Sequence, residues 1–349
     1  MARRVFVNAW VGVDNHGDEL LFERLRAHLD AADVAHVTVT SFAPDATRRL
    51  HGVDAVHPRN LLAVVRAIHA ADLFILGPGG LLQDASSPWN LPYQLHRVVL
   101  ARLLRTRVLG MGLGADPMTR RGSGALLRLA LGRARAVAVR DTASRDALAD
   151  HGLEAIVTAD LAFGTTPPHD AGGEAVVVSL RPHRRGGLMP VKWQRHSLDD
   201  AQIQTAADAL DTVAAELDAP VRFVAFEPHT DQPLHEAVAM RMHRPASCVV
   251  PADGGLVAEM ADARLVIATR YHAGITALVA GRPTVLIGYA PKVQSLASAT
   301  GVPLLADTNE GLAGLPAAVR AASTASVDAL RAAESRNGEI IAGALEGAG

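Results

Sequence analysis

The stretch from residue 265 to residue 292 limits what this chain can fold into more than any other. It opens on the apolar run Leu265-Val-Ile-Ala268 and passes Arg270 and His272 into a segment of small residues, Ala273, Gly274, Ala277, Ala280 and Gly281. It then returns along a second apolar run, Pro283 to Ile287, which ends in a loop carrying Lys292. Short apolar runs bounded by turn signals are buried strands, and two such strands joined through a helix lie parallel, because the crossover brings the chain back to the same end of the sheet. The same alternation recurs along the chain. Strands are expected at 4–8, 37–42, 72–76, 107–111, 136–139 and 156–160, and again at 175–181, 221–226 and 249–250. Helices are expected from 18 onward, at 61–70, 123–133, 142–150, 200–218, 234–242 and 256–260, and from 311 to the end. Strands that alternate with helices throughout predict an α/β chain with a parallel sheet in each half.

With 349 residues, 49% of them hydrophobic, the chain can bury two ordinary cores. Composition shifts at Thr165-Thr-Pro-Pro-His-Asp-Ala-Gly-Gly173, where two prolines and two glycines fall within nine residues. The expected division is therefore a first domain over 1–168 and a second over 169–314, facing each other across a cleft. An alanine-rich tail, 315–349, is expected to cross back onto the first domain.

Several function classes are set aside on composition. A net charge of −2 carries no basic surplus for nucleic acid. A single cysteine, Cys248, rules out an intrachain disulfide framework and a Cys-rich metal site; it sits at what reads as a strand start, so a packed thiol and a cytoplasmic location are expected. No His-x-His or His-Glu-x-x-His pattern calls for a metal. The opening Met-Ala-Arg-Arg-Val-Phe-Val has charge but no apolar core of a leader, and no run reaches the ~20 apolar residues that span a bilayer. The Leu/Arg-rich segments 98–109 and 125–137 allow a peripheral membrane contact, although helices with an arginine-bearing face are the plainer reading.

The chemistry-bearing residues collect at strand exits. Arg270, His272 and Lys292 lie there in the second half and Arg140 in the first, and Lys292 is one of only two lysines in the chain. Open α/β sheets bind ligands at the carboxyl ends of their strands, where helix amino termini add N–H donors and partial positive charge. The set suits a small, multiply charged anion; the plainer alternative is helix-start residues and a solvated lysine. Gly79 and Gly80, in Gly77-Pro-Gly-Gly-Leu-Leu-Gln-Asp84, let a ligand lie against the main chain or simply make a tight turn. The loop before residue 18 has glycines at 12 and 17 but not the G-x-G-x-x-G spacing of a dinucleotide site. Asp18 suits either a helix start or catalysis.

The order Asn15-His-Gly-Asp18-Glu-Leu-Leu, Gly77-Pro-Gly-Gly80, Val139-Arg-Asp-Thr-Ala-Ser144, Arg270-Tyr-His-Ala273 and Tyr289-Ala-Pro-Lys292 resembles the polysaccharide pyruvyl transferase family over residues 8–300. The resemblance departs at Ala290, where many relatives have an acidic residue, and at Ala115, where relatives often have proline. It implies a GT-B-like fold of two Rossmann-like domains. It further implies transfer of the enolpyruvyl unit of phosphoenolpyruvate onto two saccharide hydroxyls, giving a ketal and phosphate, with no cofactor beyond the donor. The residues that match the family's donor-binding cations are Arg140, Arg270, His272 and Lys292. With them go Asn15, Gly79, Gly80, Asp84 and Glu227 as expected substrate contacts. His272 is expected to protonate C3 or to hold the phosphate as an imidazolium, and Asp18 is the expected base, with Glu227 and Asp231 as rivals for the latter. The polar loop 183–197 and the segment 86–97, with Trp89 and Tyr93, are expected to shape the acceptor pocket. A glycosyltransferase using a nucleotide sugar, or a non-catalytic anion- or sugar-binding protein on the same scaffold, are the rival readings.

Overall fold

A computed structural model describes residues 3–167, 172–182 and 200–346. Two compact units divide the chain between Gly164 and Thr165, and the chain returns to the first unit from Leu330.

The first unit begins with β1 (Arg3–Val11), α1 (His16–Ala31), β2 (Val34–Ser41), α2 (Pro44–His51), β3 (Asp54–Val56) and α3 (Leu61–His69). It continues with β4 (Leu73–Leu76), β5 (Gly79–Leu82), α4 (Asn90–Leu103), β6 (Arg107–Ala115), α5 (Ser123–Leu131), β7 (Val137–Val139), α6 (Thr142–Ala149) and β8 (Ile156–Val157). Its strands are parallel in the order β3-β2-β1-β4-β6-β7-β8, with β5 added on β6. The run Leu-Phe-Ile-Leu of β4 is buried at every position, as a parallel strand covered on both faces has to be. The order reverses between β1 and β4, which opens the sheet's carboxyl edge at that point.

The second unit carries β9 (Ala175–Ser179), α7 (Asp200–Leu217), β10 (Val221–Val224), α8 (Pro228–Ala239), β11 (Ala246–Val249), α9 (Leu256–Ala261) and β12 (Ala263–Ala268). It goes on through α10 (Tyr271–Val279), β13 (Thr284–Gly288), α11 (Pro291–Thr300), β14 (Leu304–Ala306), α12 (Asn309–Ala313) and α13 (Leu315–Ala321). The parallel order β11-β10-β9-β12-β13-β14 repeats the winding of the first sheet, with its reversal between β9 and β12. Val176, Val178, Phe223, Ile267 and Val285 from the sheet pack with Ala207, Leu210 and Val213 from α7.

Two expectations are corrected. The tail does not return as a whole: Leu315 and Val319 of α13 are buried in the second unit's core. Only α14 (Asp328–Leu345) comes back, held where Glu334 meets His28 at 2.6 Å, Asn337 donates to the Ala159 carbonyl at 3.4 Å and Arg107 donates to the Ala344 carbonyl at 3.2 Å. Cys248 is not packed; β11 is the edge strand, and the thiol is exposed on it.

Candidate active site

In the first unit the reversal between β1 and β4 brings the loop before α1 against β5. Asn15 caps α1, its side-chain oxygen accepting from the N–H groups of Gly17 at 3.0 Å and Asp18 at 3.3 Å. Asp18 therefore stands in the first turn, beside the glycine pair: a Cβ added to Gly79 would lie 3.7 Å from its Oδ1. On Gly80 an added Cβ would lie 3.8 Å from Nη2 of Arg140, so Asp18 and Arg140 flank the pair. Arg140 lies flat against the main chain at Gly114, where an added Cβ would fall 2.6 Å from Nη2; only glycine leaves that space.

Arg140 is not the open cation the sequence suggests. It is buried, with Nε at 3.3 Å from Asp141 and Nη1 at 3.5 Å from Asp160. Asp141 also caps α6 by accepting from Ser144 N–H at 2.7 Å. Asp84 is likewise engaged within the chain. Its buried carboxylate accepts from Thr119 N–H at 2.9 Å, Thr119 Oγ1 at 2.8 Å, Arg120 N–H at 2.9 Å and Ser123 Oγ at 2.7 Å, which fastens the loop between β6 and α5. Burial pushes this carboxyl up, but the bonds from Ser123, Thr119 and Arg120 outweigh it and hold it at about 2.

In the second unit Arg270 follows the end of β12 by two residues and occupies the capping position of α10. Its Nε donates to Asp231 at 3.0 Å and its Nη2 to Glu227 at 2.9 Å and Thr230 at 3.1 Å, with a further contact from Nη2 to the other Asp231 oxygen. Asp231 also accepts from the N–H groups of Phe226 at 3.0 Å and Glu227 at 2.9 Å. Burial would lower the Arg270 pKa, yet Asp231 and Glu227 raise it. Arg270 and Glu227 thus form an internal clamp that ties the exit of β10 to the start of α10. A buried ion pair of this kind is worth little net stability but is costly to break.

What remains at this edge was only partly foreseen. Arg181, just past β9, stacks its guanidinium 4.1 Å above the Tyr289 ring, and its N–H donates to Thr269 Oγ1 at 2.7 Å. Lys292, in the first turn of α11, holds its ammonium 5.5 Å from the Tyr271 ring and 5.6 Å from the Tyr289 ring. Burial pushes the Tyr289 phenol up, but Lys292 and Arg181 outweigh it and bring it down to about 8. His272, half-buried in the first turn of α10, sets its ring against Tyr271 with centroids 5.4 Å apart. Neither α10 nor α11 has a side-chain cap, since Arg270 and Ala290 occupy the capping positions. Two helix amino termini, Lys292, Arg181 and His272 thus meet at the reversal point of the second sheet, an arrangement that attracts an anion. Arg181, Tyr271 and Tyr289 were missed as site residues, although each lies within three residues of the carboxyl end of a strand, β9, β12 and β13, and that position is a signal that reaches all three. The expected acceptor loop, 183–197, lies outside the described residues. Of the segment 86–97, Trp89 is exposed, and Tyr93 packs against Trp10 at 6.2 Å and under Arg97 at 4.7 Å.

Among the described residues no group of three or more His, Cys, Asp or Glu is placed to hold a metal ion, and no helix is long and apolar enough to cross a membrane. The family model of polysaccharide pyruvyl transferase matches residues 15–291. Curated proteins yield no match. Among solved structures, a putative UDP-N-acetylglucosamine 2-epimerase from Listeria monocytogenes superposes with a TM-score of 0.63 at 12% identity, over 99% of this chain and 97% of that one. The UDP-GlcNAc 2-epimerase of Methanocaldococcus jannaschii, in complex with UDP-GlcNAc and UDP, gives 0.59 at 10% identity over 98% and 99%. A glycosyltransferase from Rickettsia africae gives 0.58 at 9% identity over 99% and 94%. These likenesses establish a GT-B-like fold of two Rossmann-like domains.

Proposed function

We propose, from the premise that the chain belongs to the polysaccharide pyruvyl transferase family, that it moves the pyruvyl group of phosphoenolpyruvate onto two hydroxyls of a saccharide. The observation that carries this reading is the edge of the second sheet, where Arg181, His272 and Lys292 gather beside two uncapped helix starts. Phosphoenolpyruvate presents a carboxylate and a phosphate on adjacent atoms. A site for it needs separate cationic centres a few ångströms apart, and uncapped N–H groups serve as well as side chains.

The reaction then divides among named groups. Protonation of C3 turns the methylene into a methyl and leaves C2 an oxocarbenium-like centre. One sugar oxygen adds to C2 and the C2–O bond to phosphate breaks. A second sugar oxygen closes the ketal, and the two hydroxyl protons end on C3 and on the departing phosphate. His272 is assigned to deliver the C3 proton, since imidazole changes charge near neutral pH. Lys292 and the start of α11 hold the phosphate as charge builds on its oxygens. Arg181 holds the carboxylate by its planar fork. Arg140 and Arg270 are assigned positioning roles, through Gly114 and through α10 respectively. Asp18, beside Gly79, is assigned as the base that takes the acceptor proton, and Gly79 and Gly80 leave the main chain open to the saccharide.

The test is donor dependence. Incubation with phosphoenolpyruvate and a panel of saccharides bearing paired hydroxyls is expected to release phosphate. Release of a nucleoside diphosphate from a nucleotide sugar, with none of phosphate from phosphoenolpyruvate, would replace this reading with a glycosyltransferase.

A further inference from the structure

The opposite, amino edge of the first sheet carries a second surface that the reaction does not use. Helices α4 and α5 join β4 to β6 and β6 to β7 in the same direction across the sheet, so both lie on one face and both end at that edge. They pack side by side. The strands that follow are fastened there, Arg135 N–H donating to the Val108 carbonyl at 2.7 Å. Leu103, the last residue of α4, is 77% exposed, and Leu129, in the last turns of α5, is 54% exposed. Neither helix needs these leucines for its core, which is made by Leu95, Val98, Ala101, Leu127 and Ala130. Close to them along the chain come Arg102 and the exposed Arg105, Arg128, Arg133 and Arg135, and residues 98–111 and 123–137 contain no acid at all. Acids on neighbouring elements are fewer: Asp72, which accepts from Arg4 N–H at 2.8 Å, the exposed Asp150 beside the His151 carbonyl that Arg128 reaches at 3.1 Å, and Glu346, whose main-chain carbonyl accepts from Arg107 at 3.3 Å. The whole chain has a net charge of −2, so this is a local excess of positive charge.

We infer that this edge docks on an anionic lipid bilayer, with Leu103 and Leu129 entering the headgroup region and the arginines facing lipid phosphates. Exposed leucines with arginines on the same helix ends combine the two terms of interfacial binding, apolar insertion and attraction to negative headgroups. Neither term needs a spanning helix. The inference stands apart from the transferase reading, because none of these residues lies at the carboxyl edges described above.

The experiment is sedimentation of the full chain with vesicles of phosphatidylcholine alone or with added phosphatidylglycerol, at low and high salt. Binding is expected only with phosphatidylglycerol, and it should fall steeply as salt rises from about 0.05 M to about 0.5 M, where the screening length shrinks below a side-chain length. Reversing two charges, Arg105→Glu with Arg133→Glu, should weaken binding by about tenfold or more. Leu103→Ser with Leu129→Ser should weaken it severalfold at low salt, with the melting temperature unchanged because both leucines are exposed. Equal binding to both vesicle types, no binding to either, or indifference to both pairs of substitutions would overturn the inference. So would a dimer in solution that the leucine pair of substitutions dissociates, since the surface would then belong to a second copy.

Discussion

The two units wind their sheets in the same order, yet their carboxyl edges are finished differently. In the first, Asp141 caps α6, the helix that starts beside Arg140, and Asn15 caps α1, whereas α2, α4 and α5 begin without a side-chain cap. In the second, α10 and α11 begin without a side-chain cap. Each unit also has an arginine at a strand exit between two carboxylates, Arg140 with Asp141 and Asp160, and Arg270 with Asp231 and Glu227. The clamps are alike; the starts of the helices beside them, α6 and α10, are not. The difference teaches that an arginine at a strand exit does not by itself mark an anion site. A helix start without a side-chain cap and with a cation beside it is the better sign, because the partial positive charge of the helix amino terminus adds to that of the side chain.

The largest effect that sharpens this contrast is expected from Lys292→Ala and His272→Ala. Both should bring phosphate release below detection while the far-UV spectrum stays native, and donor affinity should fall about tenfold to a hundredfold as a charge-assisted bond is lost. Near-normal turnover in both would break the assignment of the second edge.

Arg270→Ala and Arg140→Ala probe the clamps. Each leaves two carboxylates facing one another without their cation, so urea unfolding should show a loss of about 3–5 kcal/mol for either. Arg270→Lys should recover only part of this, since a lysine cannot reproduce the fork to Asp231 and Glu227. Full stability in Arg270→Ala would mean that the arginine is held for a ligand and not for the fold.

Asp84→Asn tests a purely structural contact of the first unit. The folded pKa of Asp84 lies below the ordinary 3.8 at about 2, so its contribution is complete above 3.8 and disappears as pH falls through about 2. The substitution should cost about 1–3 kcal/mol at neutral pH and flatten the acid end of the stability profile. An unchanged acid profile would show that its hydrogen bonds do not favour the ionised form.

The smallest effect concerns Tyr289. Its phenol ionises near pH 8, and the phenolate then offsets the positive charge of Lys292 and Arg181. Donor KM should therefore rise as pH passes through about 8, and Tyr289→Phe should remove that rise while leaving KM at neutral pH within a few-fold. A KM that climbs equally in both would place the titration on another group.

The fold was legible because each buried strand announces itself locally. The runs at 72–76 and 265–268 admit no other packing in a chain of alternating helices. The short outer strands β3 and β14 and the strand β5 were not, since three or four residues, partly exposed or rich in glycine, carry too weak a pattern. Site residues were legible as positions and less so as states. Arg270 could be placed at a strand exit, but its partner Asp231 lies on another crossover, and nothing in sequence spacing shows that they meet. Arg181 closes an apolar run next to Arg184 and Arg185, and nothing in the spacing sets it apart from them. Tyr289 stands within the Tyr-Ala-Pro-Lys motif, whose order alone does not show that its ring lies between two cations.

The most direct measurement is the position of phosphoenolpyruvate in a crystal of the full chain. Its phosphate is expected at the starts of α10 and α11, within hydrogen-bonding distance of Lys292, with His272 alongside. Phosphoenolpyruvate seated against Arg140 in the first unit with the second edge empty, or no bound phosphoenolpyruvate where a nucleotide sugar binds instead, would contradict it.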